Sequence, residues 1–430
     1  MGVLGAGYVG LTTAACLTHL GHRVVCIDTD SAKVARLRDG EVPVREPGLD
    51  ELVHDGTHDG LLSFTDHIEA LTGCGIVVLC LPTPMDEHGD PDTSAVDSVV
   101  GQLGTLLPDS AVLVSKSTVP VGSTHRAARQ VDRTDVAVVS NPEFLREGHA
   151  VEDFLRPARI VIGASDDAAV AAVERVYDGI AAPIVRTDPV SAELAKYACN
   201  AFLAVKLSYT NLLSALCEQV GADMGEVARV MALDNRIGAS CLQPGPGWGG
   251  SCLPKDTLAL LRTGSRAGLD LGVVRAALDA NAQQLDRVVR DVRRAVTGDA
   301  DGRIVGHRIG LLGLTFKAGT ADLRDSPALA VAAALAHEGA VLTGYDPEVP
   351  SDRQHAVAEV RLLDDPYQVA KGASAVVLLT EWPEFTELDW SVIGAAASNP
   401  VVVDTRGMLG SPEAQDPGIE RIGLGDGTHR

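Results

Sequence analysis

The sequence predicts an α/β protein in which two doubly wound parallel sheets are separated by a helical middle region. Short β-branched runs alternate with helical patterns in the first part of the chain. An unbroken helical pattern then follows Pro189, and the alternation resumes near residue 300. Strands that alternate with helices indicate βαβ units, whose strands pair in parallel.

The predicted strands are runs of Val, Ile and Leu bounded by polar residues or glycine. In the first half they are 2–5, 23–28, 75–81, 111–116, 136–140 and 159–163. In the second half they are 308–314, 341–346, 375–380 and 400–406. The last dozen residues are polar and glycine-rich, so we expect them to lack regular structure.

Asp188 and Pro189 predict the start of a long helix, as its N-cap and its first residue. The pattern continues to Gly221, so at about 1.5 Å per residue the helix would exceed about 40 Å. A helix of that length connects domains and offers a surface for self-association. The segment 298–303 is rich in Gly and Asp, which is typical of a domain boundary. We therefore expect domains at 1–188, 189–299 and 300–430.

Composition excludes several classes of partner. The 430 residues carry a formal net charge of −22 and are 46% hydrophobic, which fits a folded protein of two or three domains. Nucleic-acid phosphates and anionic membrane surfaces would repel so acidic a chain. An anionic substrate therefore needs a local cluster of Lys and Arg.

The 8 cysteines predict reduced thiols rather than disulfides or a metal site. They form no C-x-x-C pair, and most lie in apolar runs. This usage fits a reducing compartment. No run approaches the roughly 18 apolar residues of a membrane span. We expect a cytoplasmic protein without a metal ion.

A glycine fingerprint near the start of the chain predicts a dinucleotide site. Gly5, Gly7 and Gly10 follow a predicted strand and open a helical pattern, as pyrophosphate-binding turns do. Alone, the fingerprint also suits a purely structural turn. The second strand, however, ends at Asp28, where a carboxylate accepts the ribose hydroxyls of NAD and repels the 2′-phosphate of NADP. Together the two features predict NAD as the cofactor.

The segment 245–256, GPGWGGSCLPKD, carries the strongest signal for chemistry. Its glycines do not suit an ordinary helix or strand, and they leave Cys252 on a bare backbone beside Lys255 and Asp256. Cationic or helix-terminal surroundings favour the thiolate, which is the nucleophilic form of cysteine. The alternative is an inert thiol beside a glycine turn, which suits the other cysteines better.

Further polar residues fall where ligands bind in such sheets. Lys196 and Asn200 are four residues apart, so they share one face of the long helix. Thr118 and the carboxylates of Glu143 and Glu147 directly follow the fourth and fifth predicted strands, at the carboxyl edge of the sheet. Taken singly, each also suits a solvent-exposed or capping role.

Nine motifs occur in order along the chain: GAGYVG at 5, EPGL at 46, LPTP at 81, KSTVPVG at 116, NPEFLREG at 141, AELAKYACN at 192, NRIG at 235, GGSCLPKD at 249 and GLTFKAGTADLRDSPA at 313. Together they resemble the UDP-glucose/GDP-mannose dehydrogenase family over essentially the whole chain. The resemblance implies two Rossmann-like domains joined by a long central helix, with the active site between the domains. It also implies a homodimer or higher homo-oligomer formed through the helical middle region.

The resemblance further implies oxidation of a nucleotide sugar, UDP-glucose by preference, in two hydride transfers through a thioester on Cys252. The expected catalytic residues are Cys252, Lys196, Asp256, Asn200, Thr118 and Glu143. The expected NAD-binding residues are Gly5, Gly7, Tyr8, Val9, Gly10, Asp28, Lys33, Thr83, Thr118, Glu147 and Arg324. The expected substrate-binding residues are Phe144, Leu145, Lys196, Asn200, Arg236, Gly249, Lys317 and Arg406, with Arg236 reaching across a dimer.

Three alternatives stay open at this point. The substrate could be GDP-mannose or a UDP-N-acetylhexosamine, although Ser251 before the cysteine and Lys255-Asp256 after it resemble the UDP-glucose members more. A two-electron hydroxyacid dehydrogenase would leave Cys252 and the second sheet without a task. A non-catalytic, NAD-responsive binding protein would need neither the cysteine nor the Lys-Asp pair.

Overall fold

An eight-stranded sheet organises the first part of the computed structural model, which describes residues 1–86, 89–409 and 418–425. Its strands are β1 (Gly2–Leu4), β2 (Val24–Ile27), β3 (Leu62–Thr65), β4 (Ile76–Leu79), β5 (Val112–Ser115), β6 (Ala137–Ser140), β7 (Ile160–Gly163) and β8 (Ile184–Thr187). Its helices are α1 (Tyr8–His19), α2 (Ser31–Arg38), α3 (Leu49–His58), α4 (Ser94–Leu106), α5 (Ser123–Val131), α6 (Ala150–Leu155) and α7 (Asp167–Val176), with a 3₁₀ helix at Ile68–Gly73. The strand order β3-β2-β1-β4-β5-β6-β7-β8 reverses direction between β1 and β4.

Both faces of this sheet are buried, as the doubly wound prediction requires. Successive strand residues point to opposite faces. Val3 and Val78 accordingly pack into one apolar core, while Leu4 and Val77 pack into the other. The two cores explain why the central strands are continuous apolar runs.

The last two strands change direction. Strands β1 to β6 pair in parallel, as predicted, but β7 pairs antiparallel to β6 through Ser140 and Gly163. The chain therefore enters β7 at the same edge of the sheet where β6 ends. Because of this reversal, the segments 141–149 and 156–159, on either side of α6, both lie at the carboxyl edge.

Strands β3 and β8 of this sheet were not predicted from the sequence, and nor was β11 (Val360–Leu362) of the second sheet. Strand β3 buries only Leu62 and Phe64, and β8 is an edge strand in which Ile184 is 39% exposed and Val185 is 47% exposed. Edge strands bury one face or none, so they lack the long apolar run that marks a central strand.

The long central helix is confirmed as α8 (Pro189–Val220), a single helix of 32 residues. Asp188 caps its first turn: Oδ1 accepts a hydrogen bond from the Ser191 amide at 2.9 Å, and Oδ2 accepts one from the Ser191 hydroxyl at 2.6 Å. Pro189 lacks an N–H group that this first turn could not have satisfied anyway. The local signal in the sequence therefore sets the start of α8.

A six-stranded, fully parallel sheet organises the last part of the described chain. Its strands are β9 (Arg308–Leu312), β10 (Val341–Tyr345), β11 (Val360–Leu362), β12 (Ala375–Leu378), β13 (Val401–Asp404) and β14 (Glu420–Gly423), in the order β11-β10-β9-β12-β13-β14. The helices after α8 are α9 (Met224–Ala232), α10 (Leu253–Arg266), α11 (Gly272–Thr297), α12 (Pro327–His337), α13 (Pro366–Val369) and α14 (Trp390–Ala396), with 3₁₀ helices at Ser351–Ala356 and Pro383–Thr386.

The expectation that the last dozen residues lack regular structure is wrong for 420–423, which form β14 beside β13. The buried guanidinium of Arg421 in β14 lies 3.4 Å from the carboxylate of Asp404 at the end of β13. A polar sequence therefore forms this strand because its charge is paired across the sheet. Residues 426–430 lie outside the described part of the chain.

The described chain divides into two compact units. The first contains Met1–Cys199 and Leu258–Leu269, and the second contains Asn200–Thr257 and Asp270–Arg430. Helices α8 and α10 each contribute residues to both units. In the described residues, no helix is both long enough and apolar enough to cross a membrane.

Candidate active site

The glycine loop after β1 has three different environments. Gly5 has φ +96°, and a Cβ there would lie 2.5 Å from the Cys80 carbonyl oxygen. A Cβ on Gly10 would lie 1.8 Å from the carbonyl oxygen of Gly5, so helix α1 packs directly on the strand. A Cβ on Gly7, in contrast, would have no described atom within 4 Å. Gly7 is the N-cap of α1, and half-buried Val9 in its first turn packs on the core.

This geometry fits a dinucleotide pyrophosphate. The open space beside Gly7 permits close approach of a ligand to the backbone, and the amide end of α1 favours an anion. The loop therefore provides the structural context that the sequence fingerprint requires.

Asp28 lies beside this loop, at the end of β2. Its Oδ2 accepts hydrogen bonds from the Ala6 amide at 2.7 Å and from Lys33 Nζ at 3.0 Å, and its Oδ1 accepts one from the Asp30 amide at 3.0 Å. Burial acts to raise the pKa of Asp28, but these amides and the Lys33 charge outweigh it and hold the pKa below its usual range. Asp28 is therefore a carboxylate at neutral pH, as ribose recognition needs.

Tyr8, at the start of α1, is joined to two distant segments through Glu46. Its hydroxyl donates a hydrogen bond to Glu46 Oε2, which also accepts one from the Gly148 amide at 2.8 Å. Glu46 Oε1 accepts a further hydrogen bond from the Ala150 amide at 2.5 Å. Burial, followed by the hydrogen bond and charge of Glu46 and the charge of Glu147, raises the pKa of Tyr8 well above its usual range. The phenol therefore stays protonated and holds the glycine loop against 148–150.

A buried ion pair joins the first sheet to α8. Lys196 Nζ lies 2.9 Å from Glu143 Oε1, and these side chains are 3% and 7% exposed. Glu143 Oε2 accepts a hydrogen bond from the Leu145 amide at 2.6 Å. Burial alone would raise the pKa of Glu143, but the charge and hydrogen bond of Lys196 and the Leu145 amide hold the pKa below its usual range. Glu143 is therefore ionised at neutral pH.

Phe144 and Arg159 complete the surroundings of this pair. The Phe144 ring centroid lies 5.4 Å from Lys196 Nζ and 3.6 Å from the Arg159 guanidinium carbon. Nearby strand ends are also joined, because Thr83 Oγ1 donates a hydrogen bond to the Thr118 carbonyl at 2.7 Å. The segments after β4 and β5 are thus joined at the carboxyl edge of the sheet, where Glu143 follows β6.

A second buried carboxylate lies in the other unit. Asp256 is 0% exposed; its Oδ2 accepts a hydrogen bond from Asn200 Nδ2 at 2.6 Å, and its Oδ1 accepts one from Lys255 Nζ at 2.6 Å. Asn200 lies one turn after Lys196 on α8. Each oxygen of Asp256 therefore has a fixed donor, and Lys255 balances its charge.

Two glycines of the segment 245–256 are required by close packing of the backbone. A Cβ on Gly249 would lie 1.8 Å from the Asp325 carbonyl oxygen. Gly250 has φ +81°, and a Cβ there would lie 2.6 Å from the Phe316 ring. The backbone before the cysteine therefore packs so closely on 316–325 that no side chain fits.

Cys252 is half-buried and directly precedes α10. Its carbonyl oxygen accepts the first hydrogen bond of the helix from the Asp256 amide at 2.9 Å, and its Sγ lies 3.5 Å from Ser251 Oγ. A thiolate at this position is stabilised by the partial positive charge of the helix N-terminus. By contrast, burial raises the pKa of both Cys16 and Cys80 to about 12, so those thiols are inert.

Three family profiles cover most of the chain. Residues 1–181 match the NAD binding domain of the UDP-glucose/GDP-mannose dehydrogenase family, residues 190–283 match its central domain, and residues 310–411 match its UDP binding domain. The chain belongs to this family. It is therefore an NAD-dependent oxidoreductase, and the resemblance inferred from the motifs, the fold class and the cofactor are confirmed.

Individual relatives agree with this assignment. A UDP-glucose 6-dehydrogenase from Rhizobium meliloti is 42% identical and covers 98% of both chains. The structure of a UDP-glucose dehydrogenase from Pyrobaculum islandicum has a TM-score of 0.89 at 35% identity, covering 98% of this chain and 96% of that one. A UDP-D-ManNAc dehydrogenase from Pyrococcus horikoshii has a TM-score of 0.88 at 28% identity, covering 99% of this chain and 100% of that one.

Two of the substrate cations expected in this dehydrogenase are anchored within the second unit. Arg406 Nε donates a hydrogen bond to the Leu379 carbonyl at 2.8 Å, and its Nη1 lies 3.1 Å from Glu381 Oε2. Lys317 is half-buried, with its Nζ 5.8 Å from the centroid of the Phe316 ring. Lys317 lies in the segment after β9, and Arg406 lies in the segment after β13, so both residues are on the carboxyl side of strands of the second sheet.

Arg324 and Arg236 have different surroundings. Both are exposed, and each forms an ion pair with the acidic residue two positions earlier, Asp322 at 2.6 Å and Asp234 at 2.5 Å. Their expected contacts to NAD and across a dimer stay predictions. The described residues also contain no group of three or more His, Cys, Asp and Glu side chains arranged to hold a metal ion.

Sequence reasoning missed Glu193, a second carboxylate that attaches α8 to the first sheet. It is 3% exposed and accepts hydrogen bonds from the Gly122 amide at 2.5 Å, the Thr124 amide at 2.7 Å and the Thr124 hydroxyl at 2.6 Å. These donors lie at the start of α5, so Glu193 caps that helix from outside. Its position three residues before Lys196 was the available signal, because it places both side chains on one face of α8.

The glycine loop yields a paired test. Gly7→Ala should weaken NAD binding at least about tenfold, because its methyl group would occupy the space reserved for pyrophosphate, yet it should cost less than about 1 kcal/mol of stability. Gly10→Ala should destabilise the first unit by about 1–3 kcal/mol or more through overpacking. Calorimetric titration with NAD and thermal unfolding measure the two effects. Equal NAD affinity in Gly7→Ala and wild type would contradict the assignment.

The buried ion pair predicts a pH-dependent stability. Lys196→Met leaves Glu143 buried without its cation, which should cost about 3–5 kcal/mol at neutral pH. In the wild type, Glu143 has a lowered pKa, so its contribution is present above the unfolded pKa of about 4.3 and is lost as pH falls through the folded value. In the variant the pKa should instead rise, so the deficit should shrink as pH falls.

Thermal unfolding of both proteins from pH 8 to pH 5 measures this deficit. The double variant Lys196→Met/Glu143→Gln is the control, because it has no buried carboxylate left to titrate. A deficit that stays constant over this range in Lys196→Met would show that Glu143 is not the group responsible.

Proposed function

We propose that this dehydrogenase oxidises the C6 alcohol of UDP-glucose to the carboxylate of UDP-glucuronate through a thioester on Cys252. The observation that carries the proposal is the cysteine loop itself: a half-buried thiol at the start of α10, one turn before the buried Asp256–Asn200 pair. UDP-glucose as substrate is supported by the 42% identical relative from Rhizobium meliloti and the 35% identical Pyrobaculum structure.

Each part of the chain has its own task in this proposal. Residues 1–188 bind NAD, residues 189–299 carry the cysteine loop and the surface for self-association, and residues 300–430 bind the nucleotide sugar. The match of 310–411 to a UDP binding domain supports the last assignment.

NAD, held by the glycine loop and Asp28, would accept one hydride from C6 in each of the two oxidations, so two molecules of NAD are used for each sugar. In the first oxidation, the Asp256 carboxylate takes up the proton of the C6 hydroxyl, and the Lys196 ammonium stabilises the oxygen as it becomes a carbonyl. Asn200 donates a further hydrogen bond. The fixed donors on both oxygens of Asp256 keep that carboxylate in one orientation.

An aldehyde releases a hydride only after a nucleophile has added to its carbonyl. The Cys252 thiolate forms a bond from Sγ to C6, the carbonyl oxygen takes a proton, and a thiohemiacetal results. Loss of the second hydride and of the hydroxyl proton converts this adduct into a thioester.

Water then cleaves the thioester. Thr118 and Glu143 position the water, and Glu143 accepts its proton. A bond forms from the water oxygen to C6, and the bond from C6 to sulfur breaks. The Cys252 thiolate is regenerated and the product leaves as a carboxylate. The lowered pKa of Glu143 is consistent with this role only in that it keeps the carboxylate ionised, the form that can bind and orient the water.

The nucleotide sugar carries negative charge, so its site needs cations on an acidic protein. Lys317, Arg406 and Arg236 supply them, and Arg236 does so from a partner subunit. Phe144, Leu145 and Gly249 complete the sugar site in this proposal. The fixed guanidinium of Arg406 supports its assignment, because an anchored group loses little entropy on binding.

Self-association is supported by an apolar stripe on α8. Phe202, Leu212, Leu216 and Val220 recur at helical spacing and are 67%, 51%, 54% and 63% exposed. Large exposed apolar faces of this kind mark protein interfaces. The eight thiols, all described and none in a disulfide, support the cytoplasm as the compartment.

Cys252→Ala separates this mechanism from a two-electron reaction. The variant should bind NAD and UDP-glucose, because alanine removes only a sulfur, but formation of UDP-glucuronate should fall by about a thousandfold or more. The measurements are NADH formed per sugar consumed, expected to be two for the wild type, and direct assay of the carboxylate product.

Cys241→Ala is the matched control, because Cys241 is also half-buried and lies in the same unit. It should retain two NADH per sugar at a normal rate. Two NADH per sugar from Cys252→Ala, at a rate within about tenfold of wild type, would exclude Cys252 as the nucleophile.

Arg236→Ala should raise the KM for UDP-glucose at least about tenfold and leave the KM for NAD nearly unchanged, since loss of a charged contact costs about 1.5–3 kcal/mol. Arg229→Ala is the control, because Arg229 is also exposed and pairs with Glu226. Steady-state kinetics and sedimentation give the KM values and the oligomeric state. A fully active monomer would refute a contribution from a partner subunit.

A further inference from the structure

In each of the two sheets, a glycine with positive φ directly follows a central strand and is hydrogen-bonded to the end of the neighbouring strand. Gly5 follows β1 with φ +96°, and its amide donates to the Ile27 carbonyl at the end of β2 at 2.7 Å. Gly313 follows β9 with φ +89°, and its amide donates to the Tyr345 carbonyl at the end of β10 at 2.8 Å. The strand orders β3-β2-β1-β4-β5-β6 and β11-β10-β9-β12-β13-β14 are likewise equivalent.

This equivalence extends to an aspartate. Asp346 follows β10 as Asp28 follows β2. Oδ1 of Asp28 accepts a hydrogen bond from the amide two residues later at 3.0 Å, and so does Oδ1 of Asp346. Oδ2 of each accepts a hydrogen bond at 2.7 Å from the residue after the glycine, Ala6 in one case and Leu314 in the other. Asp346 is therefore the counterpart of the ribose-binding carboxylate of the first sheet.

The two carboxylates differ in what else they bind. Asp346 Oδ2 accepts three further hydrogen bonds, from the Thr315 amide at 2.9 Å, the Thr315 hydroxyl at 2.9 Å and Trp382 Nε1 at 3.1 Å. Asp346 is only 2% exposed, and Thr315, which takes the place of Gly7, is 0% exposed. Oδ2 of Asp346 is therefore occupied and the carboxylate is shielded from a ribose, and in the described residues the Thr315 side chain stands where Gly7 leaves space.

The backbone that Asp346 holds leads directly to the proposed chemistry. The Thr315 carbonyl accepts a further hydrogen bond from Thr380 Oγ1 at 2.7 Å. The next residue, Phe316, packs its ring on Gly250, two residues before Cys252. Lys317 follows Phe316. One buried carboxylate thus fixes a segment that contacts the cysteine loop and carries a substrate cation.

We propose that Asp346 is a positioning residue for the nucleotide sugar, which fixes the segment 314–317 and through it Lys317 and the packing of Phe316 on the cysteine loop. The proposal rests on the proposed function, because it takes Lys317 and Cys252 to act on that substrate. It follows that the second sheet does not bind a second NAD in the way the first sheet does.

Asp346→Asn tests this role, because the amide keeps the shape but replaces one acceptor oxygen with a donor. We expect the KM for UDP-glucose and the calorimetric Kd for UDP to rise about tenfold or more, with the KM for NAD changed less than about threefold. The matched control is Asp28→Asn, at the equivalent position of the first sheet. In Asp28→Asn the effect should fall on the other ligand, so the KM for NAD should rise and the Kd for UDP should stay unchanged.

Thr315→Val provides a milder variant that removes one donor to Asp346 and keeps the side-chain shape and both backbone amides. It should weaken UDP binding in the same direction, by about threefold. The rate at which iodoacetamide labels Cys252, followed by mass spectrometry, should change in Asp346→Asn and Thr315→Val but not in Asp28→Asn. This readout needs no turnover, so it would move even if the proposed function were wrong.

The proposal is overturned if Asp346→Asn and Thr315→Val fold and leave UDP affinity and Cys252 labelling unchanged, or if they alter the KM values for both substrates equally. Wild-type stoichiometry tests the proposed function separately. If the wild type does not form two NADH per UDP-glucose but the variants still lose UDP affinity, the proposed function fails and the role of Asp346 stands.

Discussion

The buried ion pair between Lys196 and Glu143 attaches α8 to the carboxyl edge of the first sheet, and the candidate site in that unit depends on this attachment. Glu193, one turn earlier, binds the start of α5. Two contacts on one face of a helix fix its rotation about its own axis and its position along that axis. The direction of Lys196 is therefore set by groups that themselves lie at the ends of strands, where the chain has little freedom.

Burying charge is expensive, and several buried charges of the described residues are offset by an opposite charge or by hydrogen bonds. Lys196 pairs with Glu143, and Lys255 pairs with Asp256. Lys116, which is 4% exposed, lies within hydrogen-bonding distance of Asn141 and Tyr177. The net charge of −22 is therefore not concentrated in these buried groups.

Features with a local cause could be predicted from the sequence. The start of α8 follows from Asp188-Pro189, and the positive φ of Gly5 and Gly250 accounts for two of the glycines in the motifs. The central strands were predicted because both their faces are apolar. The edge strands β3, β8 and β11 were not predicted, since they are short and bury little apolar surface. Strand β14 was not predicted because it contains a charge that is paired across the sheet.

Features with a distant cause could not be predicted in this way. The direction of β7 is not encoded in its own residues, because the apolar run 159–163 is compatible with a parallel or an antiparallel strand. Glu46, Glu193 and Asp346 each bind amides of segments far away in sequence. A single sequence shows the carboxylate but not its donors, so the buried positions of these residues and their partners appear only in the fold.

The two sheets show how one architecture is adapted to two ligands. In both, the turn after the first strand presents backbone amides that must be satisfied, and an aspartate from the neighbouring strand satisfies them. Gly7 leaves space for a phosphate and keeps Asp28 accessible. Thr315 fills that space and binds the carboxylate of Asp346 by both its amide and its hydroxyl. An aspartate that ended with free lone pairs would remain a ligand for ribose, whereas one whose lone pairs are used internally becomes part of the scaffold. If the proposed function holds, the residue after the turn, glycine or threonine, decides whether the same carboxylate recognises a cofactor or supports the loop that recognises the substrate.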